Sequence, residues 1–279
     1  GVIPLATSTL PGNRADDTTY WPLWQRMTRI VGRPDWLYVG DSKLHSAQNI
    51  AEIHRAGGYL LTPLQMTGHM PERFEAWLGQ QPKRLTPVSL PDAKGRQRRV
   101  GRGYEVTHTV TWTDPQTGEE VSVPLRVFMV QRDRFKEKQI QDLQRRLTRA
   151  EAALKALHGR RCDTPTERTD LETQAQALLV EHHVADYLSV RVRWRPVQIE
   201  QLVGGGRPGP NRRTRVLQYD VAQVSSRRKP AQIQAYEAAA GWRAYATNAP
   251  RSRLTLPQAV EKYAGQWQPE HDFGRLKGG

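Results

Sequence analysis

Tyr263, Glu270 and Lys277 fall seven residues apart twice, with Gln266 one turn inside the first interval. On a helix of about 3.6 residues per turn, a step of seven returns to nearly the same face. The spacing predicts a stripe in which one carboxylate stands between a phenol and an ammonium. A single carboxylate in a cationic and aromatic setting is what a metal-dependent enzyme acting on nucleic acid needs. The same spacing also suits an amphipathic surface helix. A second carboxylate stands at Asp41, within Asp35-Trp-Leu-Tyr-Val-Gly-Asp41-Ser-Lys-Leu-His-Ser46. Trp36 to Val39 is an apolar run of strand type. Ser46 is a plausible N-cap, with Asn49 three residues on and Ile50 and Ile53 opening the apolar face of a helix. A carboxylate at the C-terminal edge of a strand suits a site in the crevice beyond a sheet; an Asp that caps a turn is the competing reading.

The C-terminal stripe resembles the Tyr-x2-Arg-x3-Glu-x6-Lys signature of DDE transposases of bacterial insertion sequences, the group with a β-rich insert in the catalytic domain. Tyr263, Glu270 and Lys277 match, and the Arg position holds Gln266, an amide that positions an oxygen but brings no charge. Pro269 interrupts a continuous helix just before Glu270, or opens a second helical segment at its first turn. The segment around Asp41 is similar to the Val-Gly-Asp-Ser-Lys-Leu stretch at the family's second catalytic Asp. The resemblance implies a ribonuclease-H-like α/β core interrupted by a long insert of β-strands and a helical hairpin. It implies Asp41 and Glu270 as catalytic, metal-binding carboxylates for Mg²⁺ or Mn²⁺, and Tyr263, Gln266 and Lys277 as contacts to DNA backbone. Trp242, 21 residues before Tyr263, lies at an offset similar to that of a base-stacking Trp in related hairpin-forming transposases. Stacking on an unpaired base suits an indole, and so does a place in the core.

Family chemistry of this kind is metal-dependent cleavage at transposon ends followed by strand transfer into target DNA, on double-stranded DNA and as a homodimer. The family's first Asp lies on a first strand upstream of Asp41. Gly1-Val-Ile-Pro-Leu-Ala resembles the second strand of that fold, and Leu10-Pro-Gly-Asn-Arg-Ala-Asp16-Asp17 the loop leading into the first core helix. Asp16 and Asp17 therefore read as helix-start residues. The chain is expected to be a fragment truncated at both ends, lacking the first carboxylate and inactive alone. The alternatives are a basic DNA-binding remnant without chemistry and a basic assembly protein.

Composition points to a polyanionic partner. Lys and Arg outnumber Asp and Glu by 42 to 28, a net charge of +14, and a field of that sign attracts nucleic acid in a salt-sensitive way. No apolar run of spanning length and no signal peptide stand in the sequence, so no membrane partner is expected and the cytoplasm is the default location. One cysteine, Cys162, excludes an intramolecular disulfide and a Cys-rich zinc framework.

Along the chain, residues 1–66 alternate strands and helices, ending in the strand Gly58 to Leu64, and read as the N-terminal part of the core. Residues 67–240 read as the insert. Its first part, 67–103, is rich in Pro, Gly and basic residues and is expected to be irregular. A β-hairpin follows around Asp114-Pro-Gln-Thr-Gly118, with Val121, Val123, Leu125, Val127 and Met129 at period two. A helical hairpin is expected over about 132–188, its first helix striped by Leu143, Leu147, Ala150, Leu154 and Leu157. The hairpin serves as a dimer contact or DNA-facing arm, or is two helices packed on each other. His182 and His183 have no metal-ligand spacing around them. Gly204 to Arg213 lacks the ending of a phosphate-binding loop and reads as a hairpin tip whose three arginines reach toward phosphates. Residues 241–279 return to the core with the signature helix.

Overall fold

The structure, a computed structural model, describes residues 16–92, 94–203 and 214–265. The strands expected within 1–15, the arginine-bearing tip at 204–213, and Gln266, Glu270 and Lys277 lie outside the described residues. In chain order the elements are α1 (Tyr20–Val31), β1 (Leu37–Val39), α2 (Ala47–Arg55), β2 (Tyr59–Pro63), α3 (Met70–Gly79), β3 (Thr86–Pro91), β4 (Gln97–Thr113) and β5 (Glu120–Arg132). They continue with α4 (Asp133–Leu157), β6 (Arg161–Cys162), α5 (Pro165–Glu181), β7 (Leu188–Leu202), β8 (Thr214–Arg228), α6 (Pro230–Ala239), β9 (Trp242–Thr247) and α7 (Leu256–Ala264). The chain is thus mixed α/β, and no helix among the described residues is long and apolar enough to cross a membrane.

By internal contacts the chain divides into two units. One holds the residues up to Phe135 and from Gly241 onward, and the other is Lys136–Ala240. In the first, six strands form one mixed sheet in the order β1-β2-β9-β5-β4-β3, with β1 and β2 parallel and the remaining pairs antiparallel. The hairpin β4–β5 belongs to this sheet because β5 pairs along β9, Phe128 opposite Tyr245.

Period-two alternation sorts the side chains of the central strands to two faces. Leu60, Val127, Met129 and Ala244 join Trp24, Ile50, Ile53 and Trp77 from the helices on one face. Leu61, Phe128, Val130 and Tyr245 meet Ala259 and Val260 of α7 on the other. β5 is therefore buried on both sides from Val127 to Gln131, which explains why its apolar residues run continuously there. Gly58, just before β2, admits α1 closely: a Cβ there would lie 2.6 Å from the ring of Trp24.

One expectation needs correction. Residues 67–103 are not irregular: they contain α3, β3 and the start of β4. β3 is an outer strand of the six among the described residues. It carries Pro87 and Pro91, tolerated where a strand need not donate on both sides. Its basic, Pro-rich neighbourhood hid a strand that buries only Val88 and exposes Thr86, Pro87 and Pro91.

The second unit has its own core. Leu143, Leu147, Ala150, Leu154 and Leu157 of α4 pack with Leu171, Ala175 and Leu179 of α5, and with Cys162 and Ala222 of the three-stranded sheet β6-β8-β7. The stripe on α4 is thus spent on packing within this unit. Thr164 caps α5 by accepting from the Glu167 N–H.

Candidate functional site at the end of the parallel strands

Asp41 stands two residues beyond β1, exposed, as the N-cap of a 3-10 turn over Ser42–His45. Its Oδ1 accepts the Lys43 N–H at 2.8 Å and the Tyr20 hydroxyl at 2.6 Å. Both bonds fall on one oxygen, and no described residue donates to Oδ2. The backbone is fixed as tightly: the Thr62 hydroxyl donates to the Asp41 carbonyl at 2.6 Å, and the Gly40 N–H donates to the Leu61 carbonyl at 3.1 Å. Gly40 admits the Leu44 side chain folded over the turn: a Cβ there would lie 2.7 Å from it, so Leu44 would have to shift. Ser46 then caps α2 by accepting the Asn49 N–H at 3.2 Å. The carboxylate thus caps a turn and stands open at a sheet edge at once; the two readings of Asp41 are compatible.

The surroundings of Asp41 are aromatic and buried on one side. Tyr20 and Tyr38 lie 6.1 Å apart by ring centroids, and Trp36, Trp24 and Trp21 continue the row. Burial first, and the negative charge of Asp41 second, push the Tyr38 hydroxyl up to about 12. His45, at the end of the same turn, is buried with its Nε2 unpartnered, and burial followed by the charge of His108 pushes it down to about 4.

The sheet register relates Asp41 to the far end of the chain. Val39 pairs with Leu61, and Pro63 pairs with Tyr245. Asp41, two residues past Val39, is therefore level with Pro63 and with Tyr245 across three neighbouring strands. Two steps between strands place Asp41 about 10 Å from Tyr245 along the sheet. Tyr263, near the end of α7, lies on that residue, its ring 4.8 Å from the Tyr245 ring. The opening residue of the seven-spaced stripe and the carboxylate of the first segment thus stand at the same end of one sheet.

Trp242 begins β9 at that end, on the face that carries Tyr20, Tyr38 and Trp36 beside Asp41; Tyr245 and Tyr263 lie on the other face. It is 6% exposed and packs edge-on against Tyr104 at 5.4 Å. Its Nε1 is buried without a partner, and the residue lines an open groove with Leu64, Met66, Phe74 and Phe135. Stacking on a base requires this ring to be uncovered from the groove side. Among the described residues no three of His, Cys, Asp and Glu gather as a metal-binding group, and Glu270 is not one of those residues.

Several positioning residues had no legible signal. Asn248 bridges the edge of β2: its amide donates to the Gly58 carbonyl and accepts the Leu60 N–H, both at 2.9 Å. An Asn after a strand reads only as a turn residue. Arg126 is held bidentately by Glu105, at 2.9 and 2.8 Å, and its Nη1 donates to the carbonyls of Ala249 and Leu254 at 2.9 and 2.8 Å. It thereby ties the segment between β9 and α7 to the sheet. The partners of Arg126 are far apart in sequence, so no local pattern could reveal them. Compared with known proteins, the chain finds no matching family model, curated protein or solved structure.

Proposed function

We propose that the chain is part of a DNA transposase of the DDE type, with a ribonuclease-H-like core. Its family reaction is metal-dependent cleavage of double-stranded DNA at transposon ends and transfer of the new ends into target DNA. What supports this reading is the common level of Asp41 and Tyr263 at the end of the parallel strands, joining two motifs from opposite ends of the sequence.

The donor set fits a hard cation. Asp41 offers an exposed carboxylate with one oxygen open, and Mg²⁺ or Mn²⁺ takes oxygen ligands without needing Cys or His. Asp41 and Glu270 would hold the ions, whose chemistry is to activate the attacking water or 3′-hydroxyl and to stabilise the leaving oxygen. Tyr20 and Lys43 hold Asp41 Oδ1 in place, which leaves Oδ2 for a ligand. Tyr263, Gln266 and Lys277 contact the DNA backbone, and the active form is a homodimer on DNA.

The test is a thermodynamic cycle on metal binding. A site of about 1 mM affinity gains about 1.4 kcal/mol at 10 mM ion, a rise in Tm of about 2–4 °C for a chain of this size. Asp41→Asn and Glu270→Gln should each remove the Mn²⁺-induced shift, and the double variant should lose no more than either single one, because the two groups serve one site. A shift that survives Asp41→Asn, or losses that add, defeats the reading. A chain that binds duplex DNA with no coupling between these two residues would instead be a basic DNA-binding protein without chemistry.

A further inference from the structure

The arginines of the second unit are sorted by the strand period. β7 carries Arg191, Arg193 and Arg195 at every second position, and all three are exposed. Residues directly opposite in an antiparallel pair share a face. Arg191 lies opposite Ser225, Arg193 opposite Gln223, and Ser189 opposite Arg227. Arg195 lies opposite Val221, and Arg227 is exposed as well, so these four arginines stand on one face with serine, glutamine and a half-buried valine between them.

The alternate residues Val190, Val192, Trp194 and Val224 turn the other way, into the core with α4 and α5. The acids of these strands also lie on that side. Asp220, opposite Pro196, is paired with Arg168 at 2.9 Å, and Glu200 is in phase with Trp194. No ion pair joins Arg191, Arg193, Arg195 or Arg227 to an acid among the described residues. At the margin of the face, Arg161 of β6 is already neutralised by Asp163 at 2.7 Å.

We infer that this outward face of β7 and β8 is a docking surface for the phosphate backbone of double-stranded DNA. The inference deepens the function proposed above by giving it a second contact surface, remote in sequence from Asp41 and Tyr263. Three arginines in phase space their charges by about 6.8 Å along the strand. A row of charges at that spacing lies along one line of the face and suits a ribbon of phosphates. Val221, opposite Arg195, is the apolar residue among these four arginines and is half-buried, so charge dominates the exposed surface, which favours a polyanion over a protein core contact. Arginine also suits phosphate geometry because its planar fork binds two oxygens at once. Backbone contact of this kind carries affinity and salt dependence, not sequence preference.

The experiment measures binding of the whole chain to a fluorescent 20-base-pair duplex of arbitrary sequence by anisotropy, over a NaCl series. Arg191→Gln, Arg193→Gln and Arg195→Gln together should lower the log–log salt slope by about 2–3, since each phosphate contact contributes about 0.9, and weaken binding tenfold or more at 100 mM salt. A control triple of equal charge change on α4, Lys138→Gln, Arg149→Gln and Lys155→Gln, should weaken binding less than threefold. Circular dichroism melts establish that both triples stay folded. Equal weakening by the two triples would mean that net charge alone is at work, and overturns the inference. So does unaltered binding by the first triple, or binding to phosphatidylserine vesicles without binding to duplex. Because Asp41 and its metal are read out separately, loss of the catalytic reading leaves this result standing, and the reverse also holds.

Discussion

His45 is the titratable group most deeply placed near Asp41, and it sets a pH dependence that can be worked out by sign. Burial and His108 hold it down to about 4 from an ordinary 6.5. Below 6.5 the unfolded chain takes up a proton that the folded chain refuses, so folding loses stability as the pH falls from about 6.5 to about 4, and is unaffected by this group above it. The shift corresponds to at most about 3 kcal/mol over that window. Removing a buried polar group that has no partner is close to neutral at pH 7. His45→Phe should therefore match the parent at pH 7 and fall off less steeply in acid. Urea midpoints at half-unit steps from pH 7 to 4.5 read this directly. Glu105, held low mainly by Arg126, and His108, lowered mainly by burial, act in the same direction, so the comparison of parent and variant is what isolates His45. Parallel profiles would sink the assignment. His45 itself was legible only as a neighbour of Asp41; its burial is decided by β4, which brings His108 from the other side of the turn.

Between β9 and α7 the chain is held by Asn248, by the pairs Arg251–Glu105 and Arg253–Asp35, and by Arg126. Arg126, 15% exposed, meets Glu105, 19% exposed, and donates to two carbonyls of the connecting segment. Removing one partner of a fully buried pair costs about 3–5 kcal/mol; here the pair is half-buried and Glu105 keeps Arg251 at 3.3 Å, so the loss falls below that range. Arg126→Met should thus lower the urea midpoint more than Glu105→Gln, which leaves the guanidinium its two carbonyls. It should also loosen α7 against the sheet, seen as faster amide exchange at Ala259 and Val260. Equal losses from the two substitutions would show that the carbonyl bonds contribute nothing. The elements show what periodicity can and cannot reveal. The leucine stripe of α4, the turn closed by Asp114 and the strand before Asp41 are each written within fifteen residues. β3 is not, because an outer strand can carry prolines and bury only one residue, here Val88. The second apolar face of β5 was also hidden: Phe128 and Val130 answer to α7, an element more than a hundred residues away.

At the scale of the molecule, charge and connectivity separate. Lys136–Ala240 holds 19 basic and 12 acidic residues, a net +7, leaving the other +7 of the total +14 to the rest. Net charge therefore does not mark one unit as the nucleic-acid partner; the placement of arginines on one strand face does. Connectivity makes the units separable. The chain leaves the six-stranded sheet after β5 and re-enters it at β9, its immediate neighbour, and the Arg132 N–H donates to the Gly241 carbonyl at 3.0 Å at that point. Both sides of the excursion are thus already joined by the sheet's own hydrogen bonds, and each unit buries its own apolar cluster. Replacing 136–240 by about six Gly and Ser residues should leave a chain that folds, since a short flexible loop between adjacent antiparallel strands costs little to close. The row Trp21, Trp24 and Trp36 supplies the reporter: near-UV circular dichroism should persist, and urea should unfold the shortened chain in one cooperative step. A flat near-UV spectrum, or loss of cooperativity, would mean that the six-stranded sheet cannot stand without the excursion, and that the two clusters are one folding unit.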